Sequence, residues 1–548
     1  MRLTAMELEN FKGIGTRQRI ELRPITLLFG PNSAGKSTIL HALHYAREIL
    51  ERGDCNPDIT IAGMDLGGFA QFVYRHDLQR SVVLRVEFDL EEDELPRYAA
   101  LSGDERDEFN TALSPDRFRS LSEATSASVE MTMRWSKLRR TAYVASLTVG
   151  LNGRDAATIT ASPDGKRTEL DQIDVLHPLF SAIEPKLLGH HNGLESVFPL
   201  LEQPDEEGGA ATTSIPGPIK PVALEDLIDA VPKSSALLPL DMDALLATWW
   251  QAFLELGDVE ENEAPLVLRG FRYEFRAAHA YVSRAIVGPI DVLRGFLRKT
   301  IHIGPLRRVP SRSYRPAKSD RLDRWWDGST AWDQLFRADD PTLLQEVNHW
   351  LADAAGLETG YQLGLTRVRE FGENLAGLEE DSEEDQSASK WRLHLTDLRA
   401  GVEVHFVDIG VGISQIVPVI VALARPASTL IAIEQPELHI HPALQVGLGD
   451  LVIAATRTAS SLSSTSAICL IETHSEHIML RLLRRIRETS EDQLGPDQPR
   501  LSNESVGVVY VQPSDDGARF TALRISSNGD FIDRWPRGFF EERVTEVF

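Results

Sequence analysis

Three short stretches of the chain carry apolar side chains on both faces and no charge: 25–29 (Ile-Thr-Leu-Leu-Phe), 429–433 (Thr-Leu-Ile-Ala-Ile) and 467–471 (Ala-Ile-Cys-Leu-Ile). Runs of this length and evenness predict strands of a buried parallel sheet. Each is followed by a stretch with helical spacing; 39–50 and 414–424 are the clearest helices of this part of the pattern. Elsewhere the pattern alternates. Residues 3–11 and 18–22 predict an antiparallel pair leading into 25–29, and 81–90 and 128–159 predict further strands rich in β-branched residues. Residues 391–398 and 401–408 predict a hairpin, and 506–527 a last strand pair. The middle differs: 222–256 and 277–300 have helical periodicity.

Two breaks divide these regions. Residues 203–221 are rich in Gly, Pro, Thr and acid, and 379–389 hold six carboxylates, Glu379, Glu380, Asp381, Glu383, Glu384 and Asp385. Both predict solvated connections. No internal repeat and no sustained heptad is found, which argues against a long coiled coil. The pattern therefore predicts an α/β protein: a mixed, mostly parallel sheet, an antiparallel β subdomain and a large, mostly helical insertion. The expected segments are 1–165, 166–390 and 391–548. A chain of 548 residues exceeds one comfortable core, in keeping with several domains.

Charge narrows the partners. The net charge of −25 opposes wrapping a polyanion over the whole surface, so any nucleic-acid contact needs a local basic patch. Two cysteines, Cys55 and Cys469, do not make a disulfide framework and suggest buried packing in a reducing cytoplasm. No apolar run is long enough to span a bilayer, and the N-terminus does not resemble a signal peptide.

The chemistry starts directly after the 25–29 strand. Gly30-Pro31-Asn32-Ser33-Ala34-Gly35-Lys36-Ser37-Thr38 fits the pattern G-x-x-x-x-G-K-[ST] between a strand and a helix. Gly30 and Gly35 let the backbone approach a phosphate chain. The amides of Asn32, Ser33, Ala34, Gly35 and their neighbours then point at the phosphates beside a helix N-terminus. Lys36 is expected on the β- and γ-phosphates, Ser37 on Mg²⁺ and Thr38 at the helix start. A Gly-rich turn without a ligand is the plainer alternative for the same residues.

Two further strands end in candidate site residues. The first runs into Glu434-Gln435-Pro436-Glu437, where a terminal carboxylate, Glu434, is placed to coordinate Mg²⁺. The second runs into Glu472-Thr473-His474, setting His474 at the carboxyl edge of the sheet, where open α/β folds bind ligands. Between loop and strands lies Gly410-Val411-Gly412-Ile413-Ser414-Gln415, opening a helix. Alone it is a weak phosphate cradle, and its place in the order gives it meaning.

That order resembles the ABC-type ATPases of the RecF, SMC and OLD group, which bind ATP and Mg²⁺. The resemblance implies an ATPase head. It also implies a signature (Gly412, Ser414, Gln415) that caps nucleotide held by a second copy in a head-to-tail dimer. The phrases Glu434-Gln-Pro-Glu-Leu-His-Ile-His-Pro442, Glu472-Thr-His-Ser-Glu-His477, Ile303-Gly-Pro-Leu-Arg307 and Trp535-Pro-Arg-Gly-Phe-Phe540 look closer still to bacterial AAA ATPases with a C-terminal domain of unknown function. Related ATPases accompany a nuclease in anti-phage systems of the Septu or Menshen kind. The resemblance covers the N-terminal strands and loop and the region around these phrases, and leaves the middle of the chain unmatched.

One position departs from that group. The acid that usually polarises the attacking water is replaced by Gln435, which can orient water but cannot take its proton. Glu437, Glu472 and His474 remain as candidate bases, and slow turnover is expected. The residues after His474 are too few for a Toprim nuclease domain, so a nuclease partner would be separately encoded.

Between Arg294 and Lys318 stand eight basic residues and no acid, offering either a DNA or partner contact or a face paired with the chain's own acids. Arg481, Arg484 and Arg485 share one helix face and leave the same choice. Three functions stay in view: a cytoplasmic ATPase that controls a nuclease or DNA transaction, with DNA repair of RecF type included; an ATP-locked scaffold that scarcely turns over; and, less well supported, a transporter's ATPase subunit.

Overall fold

The computed structural model describes residues 1–96, 121, 123–162, 168–174, 177–179, 284–317, 324–337, 341–368, 390–425, 429–457, 467–495 and 498–536. It divides into two compact units, Met1–Ile20, Ala42–Asp58 and Leu66–Arg298 in the first, Glu21–His41, Ile59–Asp65 and Lys299–Phe548 in the second.

The first unit is built on a seven-stranded sheet. Its strands are β1 (Arg2–Glu9), β2 (Gln18–Glu21), β4 (Val82–Asp89), β5 (Ser126–Ser136), β6 (Thr141–Leu151), β7 (Arg154–Ala161) and β8 (Thr168–Ile173), in the order β2-β1-β4-β5-β6-β7-β8. The ladders from β1 through β8 are antiparallel. Strand β4 shows the cause: Val82, Leu84, Val86 and Phe88 are buried and the residues between them are not, the period-2 pattern of a sheet with one covered face. Phe11, Tyr45 and Phe72 stack within this unit, with Phe11–Tyr45 centroids 5.7 Å apart and Tyr45–Phe72 4.7 Å.

The second unit holds a six-stranded sheet. Its strands are β3 (Ile25–Phe29), β9 (Ile301–Ile303), β13 (Leu430–Glu434), β14 (Ile468–Glu472), β15 (Val506–Ser514) and β16 (Gly517–Leu523), in the order β16-β15-β3-β14-β13-β9. Every neighbour pair from β15 to β9 is parallel, and β16 adds an antiparallel edge. Strands β3, β13 and β14 are buried at every residue, as their two-sided apolar sequences require. Strands β10 (Tyr361–Val368), β11 (Lys390–Asp397) and β12 (Val402–Val404) make a separate antiparallel sheet. The mixed, mostly parallel sheet and the antiparallel sheet are those expected from the pattern.

The helices are α1 (Thr38–Arg52), α2 (284–298), α3 (Ser329–Phe336), α4 (Pro341–Ala352), α5 (Val411–Leu423), α6 (Pro442–Ala455) and α7 (Glu476–Ser490). The longest among the described residues is far short of a coiled-coil arm. No described helix is long and apolar enough to cross a membrane.

The expected helical insertion at 166–390 looks different where it is described. Strand β8 belongs to the first unit's sheet, while β9 forms an edge of the six-stranded sheet and α3, α4 and β10 follow in the second unit. Three residues of strand, Ile301-His302-Ile303, are too few to show a period. The predicted helix at 222–256 and the breaks at 203–221 and 379–389 lie outside the described residues. Trp535, from the C-terminal phrase, packs edge-on against Phe29 at 5.6 Å and Phe531 at 5.0 Å, beside the end of β3. The rest of that phrase, from Arg537, lies outside them.

Candidate nucleotide site

The loop, the strand ends and the start of α5 described next belong to the second unit. Strand β3 ends at Phe29, and the loop turns on Gly30 at φ 147°, where a Cβ would lie 2.1 Å from the Val511 carbonyl oxygen of β15. Only glycine passes this point. Gly35 (φ 99°) is under the same constraint, and Ser33 takes φ 62° without being glycine. Asn32 and Ser33 are exposed on the loop, and Ala34 is buried beneath it. Helix α1 then opens at Thr38, whose amide donates to the Gly35 carbonyl at 3.1 Å.

Lys36 is buried. Its ammonium donates to the carbonyls of Gly30 (3.1 Å) and Pro31 (3.0 Å) and stands 3.7 Å from Glu472 Oε1. Burial holds its pKa below the usual lysine value, against the opposing pull of Glu472, Glu437 and Glu434.

The parallel register of β13 and β14 sets Glu434 opposite Glu472, so two carboxylates stand side by side at the sheet's carboxyl edge. Ser37 Oγ donates to Glu472 Oε2 at 2.5 Å. Glu434 Oε1 lies 3.1 Å from His302 Nε2 on the neighbouring strand β9. Burial pushes His302 down to about 3. The ring is therefore neutral, and with a carboxylate facing it, Nε2 carries the donated proton. Burial likewise raises Glu472 above the usual carboxylate value, with the Ser37 hydrogen bond opposing. Among the described residues no three His, Cys, Asp or Glu side chains form a metal cage. A hydroxyl and two carboxylates beside a phosphate loop instead fit Mg²⁺, which usually takes one or two carboxylates and completes its shell with water and phosphate.

The loop after β13 is held from several sides. Gln435 adopts φ 45°, a left-handed conformation uncommon outside glycine. Its N–H donates to the Glu472 carbonyl at 2.8 Å. Glu437 accepts from Thr473 Oγ1 (2.8 Å) and from the His474 amide (2.7 Å). With both oxygens committed, Glu437 ties the loop after β13 to the loop after β14. Burial, and next the charge of Lys36, lower the pKa of His474.

The signature residues are placed differently from the expectation. Ser414 is fully buried in α5, and its hydroxyl donates to the Phe406 carbonyl at 3.3 Å. It is not presented to a partner's phosphate. Gln415 is buried as well, in a reciprocal pair with the Arg307 backbone: Oε1 accepts from its N–H at 2.9 Å, and Nε2 donates to its carbonyl at 2.5 Å. Gly412 allows a close approach, since a Cβ there would meet the His439 carbonyl oxygen at 2.5 Å. What α5 exposes at its start is Gly410 and Val411. The helical spacing of 414–424 marked these side chains as helical without showing that the helix is buried almost all round.

Four of the eight basic residues between Arg294 and Lys318 pair with acids. Arg294 pairs with Asp291 (2.7 Å), Arg298 approaches Glu51 (3.8 Å), Arg308 approaches Asp327 (3.5 Å) and Arg312 pairs with Asp408 (2.5 Å). Arg307 is buried beside the carboxylate strand, with Nη2 donating to the carbonyls of Glu434 (2.7 Å) and Gln435 (3.2 Å). Lys318 lies outside the described residues. Arg481 and Arg485 both clamp Asp450, at 2.5 and 2.8 Å, and Arg484 pairs with Glu488 at 2.6 Å. The self-paired reading therefore fits four of the eight residues of the first stretch and all three of the second. Sequence reasoning missed His302 and Arg307 as site residues. The phrase Ile303-Gly-Pro-Leu-Arg307 was their signal, and it lies far in sequence from the strands it serves.

A family model described as "AAA domain, putative AbiEii toxin, Type IV TA system" matches residues 293–480, and one described as "AAA domain" matches residues 5–47. Among solved structures, the Smc head of Pyrococcus furiosus with an extended coiled coil, bound to the C-terminal domain of ScpA, is similar at 11% identity and TM-score 0.37, covering 100% of this chain and 98% of that one. The SMC head domain of Thermotoga maritima is similar at 9% identity and TM-score 0.34, covering 96% of this chain and 100% of that one. These scores are low. No curated protein matches the chain. The two AAA-domain matches fall on the phosphate loop in one segment and on β9, α5, β13 and β14 in the other, the segments that supply the site.

Proposed function

We propose that the protein is a Mg²⁺-dependent ATPase of slow turnover whose nucleotide state controls a separate effector. One observation carries this reading: Ser37, at the end of a loop that only glycine can enter, shares a hydrogen bond with Glu472, and Glu434 stands beside it in register. The loop amides and Lys36 would hold the phosphates, and Ser37, Glu434 and Glu472 the metal. Bound Mg²⁺ supplies charge neutralisation on the phosphate oxygens. His302 keeps Glu434 oriented by donating to one of its oxygens. The Gln435 amide would orient water without taking its proton.

A second copy completes the site in this proposal, through the exposed start of α5 at Gly410 and Val411. The charge pairs within the basic stretch favour a protein effector over direct DNA binding. The resemblance to defence ATPases supports a nuclease as that effector, acting in the cytoplasm against phage. The scaffold reading is kept because of Gln435, which favours a long-lived ATP-bound state.

Melting curves and phosphate release test the proposal together. ATP with Mg²⁺ should raise the melting temperature more than ATP with EDTA, and turnover should lie well below the median enzyme rate of about 10 s⁻¹. Gln435→Glu should speed phosphate release by about a hundredfold, the lower end of the range for a positioned base. No melting shift with any nucleotide would remove the ATPase reading. A shift with no release in either protein would leave the scaffold.

A further inference from the structure

Arg307 is an unusual cation. It is 4% exposed, and among the described residues its Nε and Nη1 have no hydrogen-bond partner. Its only guanidinium hydrogen bonds run from Nη2 to two backbone carbonyls, those of Glu434 and Gln435. Burial lowers its pKa to about 10, with Glu437 and Glu434 opposing, so it stays charged at neutral pH. A buried cation satisfied this sparingly is an expensive way to brace a fold; an apolar side chain of similar size would fill the space at less cost.

Its connections suggest another purpose. Gln435 sits in a strained left-handed conformation, with its N–H held by Glu472 and its carbonyl by Arg307. The backbone of Arg307 is in turn locked to α5 by the oxygen and nitrogen of the Gln415 amide, at 2.9 and 2.5 Å. Hydrogen bonds thus link α5 to the Arg307 backbone, and the Arg307 side chain to the backbone of Gln435, whose amide side chain can orient water.

We propose that Arg307 is a positioning residue for Gln435: it fixes the strained loop and makes the aim of the amide depend on where α5 stands. This deepens the ATPase reading above and rests on it. In that reading the start of α5 meets the second copy, so docking would be felt at Gln435 through Arg307, within one chain.

The test measures single-turnover hydrolysis of radiolabelled ATP, alongside ATP affinity from melting shifts. Arg307→Met and Gln415→Leu should each slow the chemical step about tenfold to a hundredfold, the cost of misplacing a reacting group by about an ångström, with ATP affinity unchanged within about threefold. Arg307→Lys, which can still reach the two carbonyls, should recover part of the rate. Each substitution is then combined with Gln435→Ala. If Arg307 and Gln415 act through Gln435, the double variants should be no slower than Gln435→Ala alone. Multiplying effects would overturn the proposal, as would an unchanged rate in Arg307→Met or a matching loss of ATP affinity. Should Arg307→Met fail to fold, Arg307→Lys and Gln415→Leu carry the same cycle. Wild-type protein that neither binds nor cleaves ATP would instead count against the ATPase reading itself.

Discussion

Lys36→Ala should abolish most of the stabilisation that ATP confers. At ATP about 100-fold above Kd, a ligand bound only by the native state stabilises it by about 2.7 kcal/mol. The variant should lose most of that shift, because the loop amides alone then face the phosphate charge. The apo protein gives the control. Lys36 there bonds the carbonyls of Gly30 and Pro31, and each such bond from a charged group is worth about 1.5–3 kcal/mol net. Removing the ammonium also ends the cost of burying it, which already depresses its pKa. The two effects oppose, so the apo melting point should move by only a few degrees. Calorimetry with and without ATP and Mg²⁺ decides the matter: an undiminished ATP shift in a folded variant means that this loop does not hold the nucleotide.

Much of this site was visible in the sequence, for a physical reason. Strands β3, β13 and β14 are covered on both faces, so their runs are apolar throughout and their ends are marked by the first polar residue, which is where parallel strands deliver ligands. Glu434 and Glu472 stand in the structure where those rules place them. The roles of single side chains were less legible. Ser414 looked like a phosphate ligand because of its neighbours in sequence, but the hydroxyl is turned inward to Phe406. Arg307 was counted with a linear run of charge, yet the run is cut by β9 and the turn after it, which send this arginine inside while Arg308 and Arg312 stay at the surface. Nothing in the sequence showed that the two oxygens of Glu437 are shared between Thr473 and His474. Contacts such as His302 with Glu434 join residues 132 positions apart, and no local pattern encodes them.

The burial of Ser414 also changes how a shared active site should be tested. An arginine at 414 would have to enter a closed core, and loss of activity would then report misfolding. Val411, at the exposed start of α5, is the cleaner position. Val411→Arg should leave ATP binding by each copy intact while the bulky cation blocks head-to-tail closure, lowering turnover at least about tenfold if closure is required. Mixing it with Lys36→Ala gives the decisive arrangement. In a mixed pair, one site combines the intact phosphate loop of the Val411→Arg copy with the intact α5 of the Lys36→Ala copy, and the other site has both defects. Random exchange makes half of all pairs mixed, so activity should return to about one quarter of wild type from two nearly inactive proteins. Recovery of that size requires a site built from two chains. If both variants are folded and shown to exchange subunits, yet the mixture stays as inactive as its components, each copy must hydrolyse ATP alone and the exposed start of α5 serves some other contact.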